Sequence, residues 1–313
     1  MSRASHAPLS SATPFADRLA ALVAERRSQV CIGFDPAFDA EPWCSASPRS
    51  GGVAGAAPDA RVAAAEAAEA VCRRLIETAG HSCVAVKPQL ARFEALGAPG
   101  IEALEAVCAA AQEAGLLLIA DGKRGDVPIS AEAYGAAMVG SSLTPWGVAP
   151  GLGADAFTAN PLMGRDSLEP LIAAAEATGS GVFALVRTSN PGAGDLLDLE
   201  TDTGPLHERI ARIVAGFAPR LEGEGGLSGA GAVVGATEPR FIVRLRELMP
   251  NSIFLLPGVG AQGGDADALG AAFGAGPASG LVTASRSVVG AADPAAAAEE
   301  LRARVWRAAG GDD

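Results

Sequence analysis

The chain has 313 residues, of which 49% are hydrophobic and 19% charged, the balance of an ordinary globular protein. Its formal net charge of −12 disfavours a nucleic-acid binder, which needs a basic face, but does not exclude a basic pocket for a phosphorylated small molecule. The five cysteines are scattered and the three histidines lack ligand spacing, so we expect reduced thiols, a cytoplasmic location and no metal site. No apolar run approaches the ~18 residues that a membrane span requires.

The elements alternate in type along the chain. A polar arm, residues 1–14, is expected to be disordered, and an amphipathic helix is predicted over Phe15–Arg27. Short runs rich in Val, Ile and Leu then alternate with Ala-rich helical stretches, as parallel strands with helical crossovers do. The eight predicted strands are Val30–Phe34, Cys83–Val86, Leu116–Ala120, Ala154–Ala159, Gly181–Val186, Ala232–Gly235, Ile253–Leu256 and Gly280–Thr283.

Eight strand–helix units favour an α/β fold of one domain, a (β/α)8 TIM barrel over residues 15–310, although the count alone does not exclude an open sheet. Residues 41–58 interrupt the alternation with a stretch rich in Pro, Gly and Ser. Such a composition is typical of a surface loop, so we predict an insertion between the first strand and its helix.

Polar residues follow nearly every predicted strand. In a parallel barrel the carboxyl ends of the strands meet at one face, where active sites lie. So many polar strand ends indicate a ring of side chains around a polar ligand. The residues at these ends are Asp35, Lys87, Asp121, Lys123, Asp126, Asn160, Arg187 to Asn190, and Arg286.

The most informative strand end is Asp121-Gly-Lys123-Arg-Gly-Asp126. Asp121 and Lys123 are two residues apart, so their side chains share one face of the sheet and can point into the barrel mouth. Opposite charges at close range keep the carboxylates ionised and the ammonium protonated. A lysine held in this way is a proton donor, although a solvated surface turn would explain this one motif as well.

Two glycine- and arginine-containing loops predict a phosphate site. The seventh strand is followed by the run PGVGAQGGD, residues 257–265, and the eighth by Ser285-Arg286-Ser287. Barrel enzymes frequently bind phosphate at these two loops, where glycines let backbone N–H groups approach an anion. Arg286 would add bidentate hydrogen bonds.

Taken together, these segments resemble the orotidine 5'-phosphate decarboxylase family in its longer bacterial branch. The resemblance runs from Phe15 to about Gly290. The D-x-K-x-x-D core is shared by a wider superfamily, whereas the V-K-P-Q, T-S-N-P-G and P-G-x-G-A-Q-G-G-D segments are more specific. The matching segments are GFDP (33–36), VKPQLARFEALG (86–97), ADGKRGD (120–126), TANPLMGRDSLEP (158–170), VRTSNPGAGDLLDL (186–199), VVGATEP (233–239), LPGVGAQGGD (256–265) and TASRS (283–287).

The resemblance implies a homodimeric enzyme that converts orotidine 5'-phosphate (OMP) to UMP and carbon dioxide without a cofactor or metal. It implies that Lys123 protonates C6 of the pyrimidine, that Asp121 lies beside the substrate carboxylate, and that Lys87 holds Asp121 and a ribose hydroxyl. It further implies that Asp35 binds the ribose, that Asp126 and Ser130 reach the ribose of the partner's ligand, and that Ser189 contacts the pyrimidine edge. The implied phosphate ligands are Gln262, Gly263, Gly264 and Arg286, and Asn160 is assigned a supporting role.

The sequence departs from the family pattern at two places. Gly122 stands where the family usually has alanine, and residues 127–130 match loosely, which weakens the assignment of Ser130.

Two other functions compete with this interpretation. A magnesium-dependent sugar-phosphate decarboxylase or hexulose-phosphate synthase would share D-x-K-x-x-D but would not need Ser189 in its T-S-N-P-G loop. A non-catalytic nucleotide-binding barrel would lose a lysine or an aspartate, and all four are present here: Lys87, Asp121, Lys123 and Asp126.

Overall fold

Eight parallel strands close into a barrel in the computed structural model, which describes residues 13–46, 59–259 and 263–312. Neighbours around the barrel follow the order β1-β8-β7-β6-β5-β4-β3-β2, and β2 pairs with β1. This confirms the predicted (β/α)8 barrel. The strands are β1 (Val30–Phe34), β2 (Ala85–Pro88), β3 (Leu117–Arg124), β4 (Ala156–Ala159), β5 (Gly181–Arg187), β6 (Ser228–Val234), β7 (Ser252–Pro257) and β8 (Gly280–Ala284).

Helices surround the barrel and connect its strands. The α-helices are α1 (Phe15–Arg26), α2 (Ala60–Ala79), α3 (Leu90–Glu94), α4 (Ala98–Glu113), α5 (Pro128–Met138), α6 (Arg165–Thr178), α7 (Gly194–Leu197), α8 (Leu206–Ala215), α9 (Pro239–Leu248), α10 (Arg286–Val289) and α11 (Pro294–Ala308). Short 3-10 helices cover Gly80–Ser82, Pro191–Ala193, Ala218–Arg220, Ala266–Phe273 and Pro277–Ser279.

Helix α1, the predicted N-terminal helix, packs against side chains of the barrel interior. Phe15, Leu19 and Val23 are at most 1% exposed and belong to one apolar cluster with residues of the strands. The Phe15 ring meets the Phe183 ring edge-on, with 5.9 Å between centroids. Each fully buried side chain of this size contributes about 1.5–3 kcal/mol. The helix thereby completes the core beneath the site.

An antiparallel hairpin between α5 and β4 was not predicted from the sequence. Ser141–Thr144 pairs with Gly147–Pro150, and Leu143 and Trp146 are 85% and 92% exposed. Because its strands have only four residues each and no buried face, the hairpin leaves no clear alternation of apolar and polar residues to recognise.

Parts of the predicted arm and insertion, residues 1–12 and 47–58, lie outside the described residues. Residues 39–45 of the loop after β1 form turns and bends, and Trp43 is 5% exposed. The domain limits therefore stay predictions. Within the described ranges, no helix is long and apolar enough to cross a membrane.

Candidate active site

The end of β3 turns sharply at Lys123. Pairing between β3 and β4 shifts register between Ala120 and Arg124, so the strand bulges there. Lys123 has φ 48°, a left-handed conformation that costs a non-glycine residue energy and often occurs at functional sites. The Lys123 N–H donates to Thr158 Oγ1 at 2.9 Å, which stabilises the turn. The bulge places the Asp121 and Lys123 side chains on the same side, as predicted.

Asp121 is the centre of a hydrogen-bond network. Its Oδ1 accepts from Lys123 Nζ at 2.6 Å and from Thr158 Oγ1 at 2.9 Å. Its Oδ2 accepts from Lys87 Nζ and from Gln89 Nε2, the latter at 3.2 Å. Four donors from β2, β3, β4 and the residue after β2 hold this carboxylate, which is 4% exposed. The carboxylate is therefore fixed in position and orientation.

Opposite charges keep this network ionised. Burial favours the neutral acid at Asp121, but Lys87 and Lys123 outweigh it and lower its pKa to about 2. Burial likewise opposes the charge on Lys87, yet the carboxylates of Asp121 and Asp35 raise its pKa above the ordinary value. The expectation that neighbouring charges hold each other ionised is thus met for Asp121 and Lys87.

The lysine content of the chain also points to the Asp121 network. Lys87 and Lys123 are the only two lysines among 313 residues, and the other 22 basic residues are arginines. Both lysines donate to Asp121. Arginine does not release a proton in proteins, whereas an ammonium group can. Both lysine ammonium groups of this chain therefore lie at one site, a compositional signal that the sequence analysis overlooked.

A polar cavity of about 240 Å³ lies above the network. Asp35, Lys87 and Lys123 line it, as do Gly258 of the loop after β7 and Arg286 at the start of α10. The lysine–aspartate network and the predicted phosphate-binding arginine therefore face one cavity. Its polar lining, with three cationic side chains, suits a small ligand with an anionic group.

The fifth and fourth strand ends form a second, smaller cavity. Asn160, Thr188 and Asn190 line this space of about 180 Å³. The Asn160 side chain accepts a hydrogen bond from the N–H of Leu162 at 3.1 Å. Ser189, in the same loop as Thr188, lies directly against Gly235. Asn160 is thus engaged in shaping its own loop, which suits the supporting role assigned to it.

Asp126 and Ser130 flank the start of α5. Asp126 Oδ1 accepts from the N–H of Val127 at 2.7 Å, and the Ser130 N–H donates to the Val127 carbonyl. Within the described chain, no ion pair of 4 Å or less joins Asp126 to Lys123. Asp126 therefore stands apart from the Asp121 network in a single chain.

The loop after β7 is described in part. Gln262 lies outside the described residues, and Gly263 has φ 89°. The N–H of Gly264 donates to the carbonyl of Gly258 at 3.0 Å, so this predicted phosphate donor is engaged within its own loop. Among the predicted phosphate ligands that the structure describes, Arg286 is the one that lines the 240 Å³ cavity.

Sequence reasoning missed two members of the network, Gln89 and Thr158. Gln89 follows Lys87 by two residues, and Thr158 precedes Asn160 by two, so both share a face with a residue that was assigned. The alternation of side chains along a strand was therefore a signal that could have found them.

The fold and the site together define a barrel enzyme equipped for proton transfer beside a fixed carboxylate. Residues 28–301 match the model of the family described as orotidine 5'-phosphate decarboxylase / HUMPS. The chain therefore belongs to this family.

Individual relatives of this chain support the same family membership. An orotidine 5'-phosphate decarboxylase of Rhodopirellula baltica is 40% identical over 279 residues, which are 88% of this chain and 88% of that protein. The solved structure of Leishmania donovani OMP decarboxylase matches with a TM-score of 0.71 and 32% identity, over 96% of this chain and 100% of that one. Leishmania donovani UMP synthase matches with a TM-score of 0.72 and 34% identity over 94% of this chain, which spans 56% of the synthase.

Proposed function

We propose that this protein is a carboxy-lyase that converts OMP to UMP and carbon dioxide in pyrimidine biosynthesis, with Lys123 as the proton donor. The observation that carries the proposal is the pair of ammonium groups held by Asp121 at the mouth of a polar cavity. The family membership and the names of the relatives support the same reaction.

The chemistry requires a stabilised carbanion. Loss of carbon dioxide from OMP leaves an electron pair at C6 with no adjacent electron sink, so the site must bind the transition state more tightly than the substrate. The Lys123 ammonium stabilises that charge electrostatically and then gives C6 its proton. Asp121, kept ionised by its neighbours, is placed beside the departing carboxylate and repels it in the ground state. As proposed, the reaction uses no metal or cofactor.

The direct test is to follow the loss of OMP absorbance in buffer that contains EDTA. Conversion to UMP at an enzymatic rate supports the proposal. No turnover of OMP, together with turnover of a sugar phosphate on addition of magnesium, would instead assign the chain to the magnesium-dependent branch of the superfamily. Binding of UMP without turnover of OMP would leave a non-catalytic nucleotide-binding barrel.

Arg286 is proposed to hold the phosphate of OMP. Its side chain lines the same cavity as Lys123, and a charge-assisted hydrogen bond contributes about 1.5–3 kcal/mol. We expect Arg286→Ala to lower kcat/KM for OMP by roughly 10- to 100-fold. Orotidine, which lacks the phosphate, provides the control, because its turnover should change little in the variant. An equal loss for both substrates would contradict the assignment.

We propose that the enzyme acts as a cytoplasmic homodimer in which Asp126 reaches the partner's ligand. Asp126 lies apart from the Asp121 network within one chain, and the next residues expose apolar side chains. Val127 and Ile129 are 47% and 81% exposed, which is typical of a surface that a second subunit covers.

Mixing two inactive variants tests this arrangement. A shared site predicts that Lys123→Ala and Asp126→Ala, each inactive alone, regain about a quarter of wild-type activity when refolded together in equal amounts. Half of the dimers are then mixed, and each mixed dimer has one intact site. Activity that stays at the level of the parents, with mixed dimers present by native mass spectrometry, would contradict a shared site.

A further inference from the structure

Arg187 and Asp198 close the loop that carries Ser189. Arg187 is the last residue of β5, and Asp198 follows the last residue of α7. Arg187 Nε donates to Asp198 Oδ1 at 2.9 Å, and Nη2 donates to Oδ2 at 3.0 Å. The two ends of the intervening segment, Thr188 to Leu197, are thereby joined by a bidentate ion pair, a geometry that fixes orientation as well as distance.

The remaining contacts of Arg187 also serve this loop. Nη1 donates to the carbonyl of Thr188 at 2.6 Å, and the guanidinium lies 4.5 Å from the ring centroid of Phe241. The Glu238 carboxylate is 3.7 Å from Nη2. Because the Arg187 side chain is 8% exposed and surrounded by these partners, its charge is satisfied by the protein and is not directed at a ligand.

His207 secures the other side of the pair. Its Nδ1 lies 2.7 Å from the carbonyl of Leu197 and 3.2 Å from Asp198 Oδ1. The imidazole packs edge-on against Phe241, with 5.1 Å between ring centroids. The carboxylate of Asp198 is therefore held between two buried side chains of the barrel and of α8.

Gly235 provides the surface on which Ser189 rests. A Cβ atom at Gly235 would lie 2.8 Å from Cβ of Ser189 and 3.0 Å from its backbone N. The N–H of Gly235 also donates to the carbonyl of Arg187 at 2.8 Å. Ser189 is thus located by contact with β6 below it and by the ion pair that closes its loop.

We propose that the Arg187–Asp198 pair, with Gly235, is a positioning device for pyrimidine recognition by the Ser189 loop. This inference rests on the proposed function, which assigns Ser189 to the pyrimidine edge of OMP. The device acts on the base and not on the ribose phosphate, because Arg286, Asp35 and Lys87 line a different part of the site. Misplacing a recognition group by about 1 Å can cost on the order of 100-fold.

The test compares two ligands in matched variants. We expect Arg187→Lys and Asp198→Asn to weaken inhibition of OMP turnover by UMP about 10-fold or more, and to leave inhibition by ribose 5-phosphate, which lacks the base, within about twofold. KM for OMP should rise with the inhibition constant for UMP. Gly235→Ala should give the same selective loss by displacing Ser189 without altering the ion pair.

The control variant is Arg220→Lys, which alters an arginine paired with Glu169 and Glu176 on α6. It should keep the wild-type ratio of the two inhibition constants. An equal loss for both ligands in the Arg187 and Gly235 variants, or no loss for either ligand, would overturn the proposal. Failure of the wild-type protein to turn over OMP would instead refute the function on which the inference rests.

Discussion

Replacement of Lys123 by alanine is expected to lower kcat for OMP by on the order of 10⁴-fold or more, because the proposed role of this group is to supply both the charge that stabilises the carbanion and the proton that quenches it. Absorbance assays at saturating OMP measure this loss. Binding of UMP should survive, since the remaining cavity residues are unchanged. The fold should also survive, because the Lys123 side chain is 42% exposed.

The matched control for Lys123→Ala is Arg61→Ala. Arg61 is 63% exposed, and its ion pair with Asp59 is long, at 3.8 Å. Removing it deletes a surface cation and should change kcat by less than about twofold. If Lys123→Ala retained more than a few per cent of wild-type activity, another group would have to be the proton donor.

Replacement of Asp121 by asparagine is expected to remove activity and to lower the free energy of unfolding by about 3–5 kcal/mol. Lys87, 6% exposed, would then keep its charge without its closest counter-ion. Urea denaturation at neutral pH measures the loss. The double variant Asp121→Asn, Lys87→Met should recover most of the stability and none of the activity, because the buried ammonium is gone.

The alkaline pH dependence of stability gives an independent check on the same pair. In the wild type the carboxylates of Asp121 and Asp35 outweigh the effect of burial and raise the folded pKa of Lys87 above its ordinary value of 10.5. Its stabilising contribution is therefore fully present below pH 10.5 and is lost as the pH rises through the folded pKa. In Asp121→Asn the loss of stability at alkaline pH should shrink, because burial then opposes the charge on Lys87 without the compensating carboxylate of Asp121. An unchanged alkaline slope would argue against Asp121 as the main partner of Lys87.

The barrel and the position of its site could be predicted because both depend on local patterns. Each strand is a short buried run, and nearly every strand ends in polar residues at the same face, so the sequence alone predicts that Asp35, Lys87, Asp121 and Lys123 lie together. The boundaries were less accurate. β6 begins at Ser228, four residues before the predicted start, and β3 continues through its bulge to Arg124.

The features that were missed depend on contacts between elements. Thr158 bonds both the carboxylate of Asp121 and the N–H of Lys123, and this requires the register of β3 against β4, which the sequence does not specify. The Arg187–Asp198 pair likewise forms only because the intervening loop folds back on itself. Residue types are readable along the chain, whereas partners across strands and loops are set by packing.

The presence of both lysines in one site has a practical consequence for handling the protein. Lys123 is 42% exposed and Lys87 is buried, so a reagent that couples to lysine side chains would modify Lys123, the proposed proton donor, and labelling through lysine is expected to inhibit the protein. UMP should protect against such inactivation. Cys44, the one exposed thiol among the five cysteines, offers an attachment point that spares Lys123.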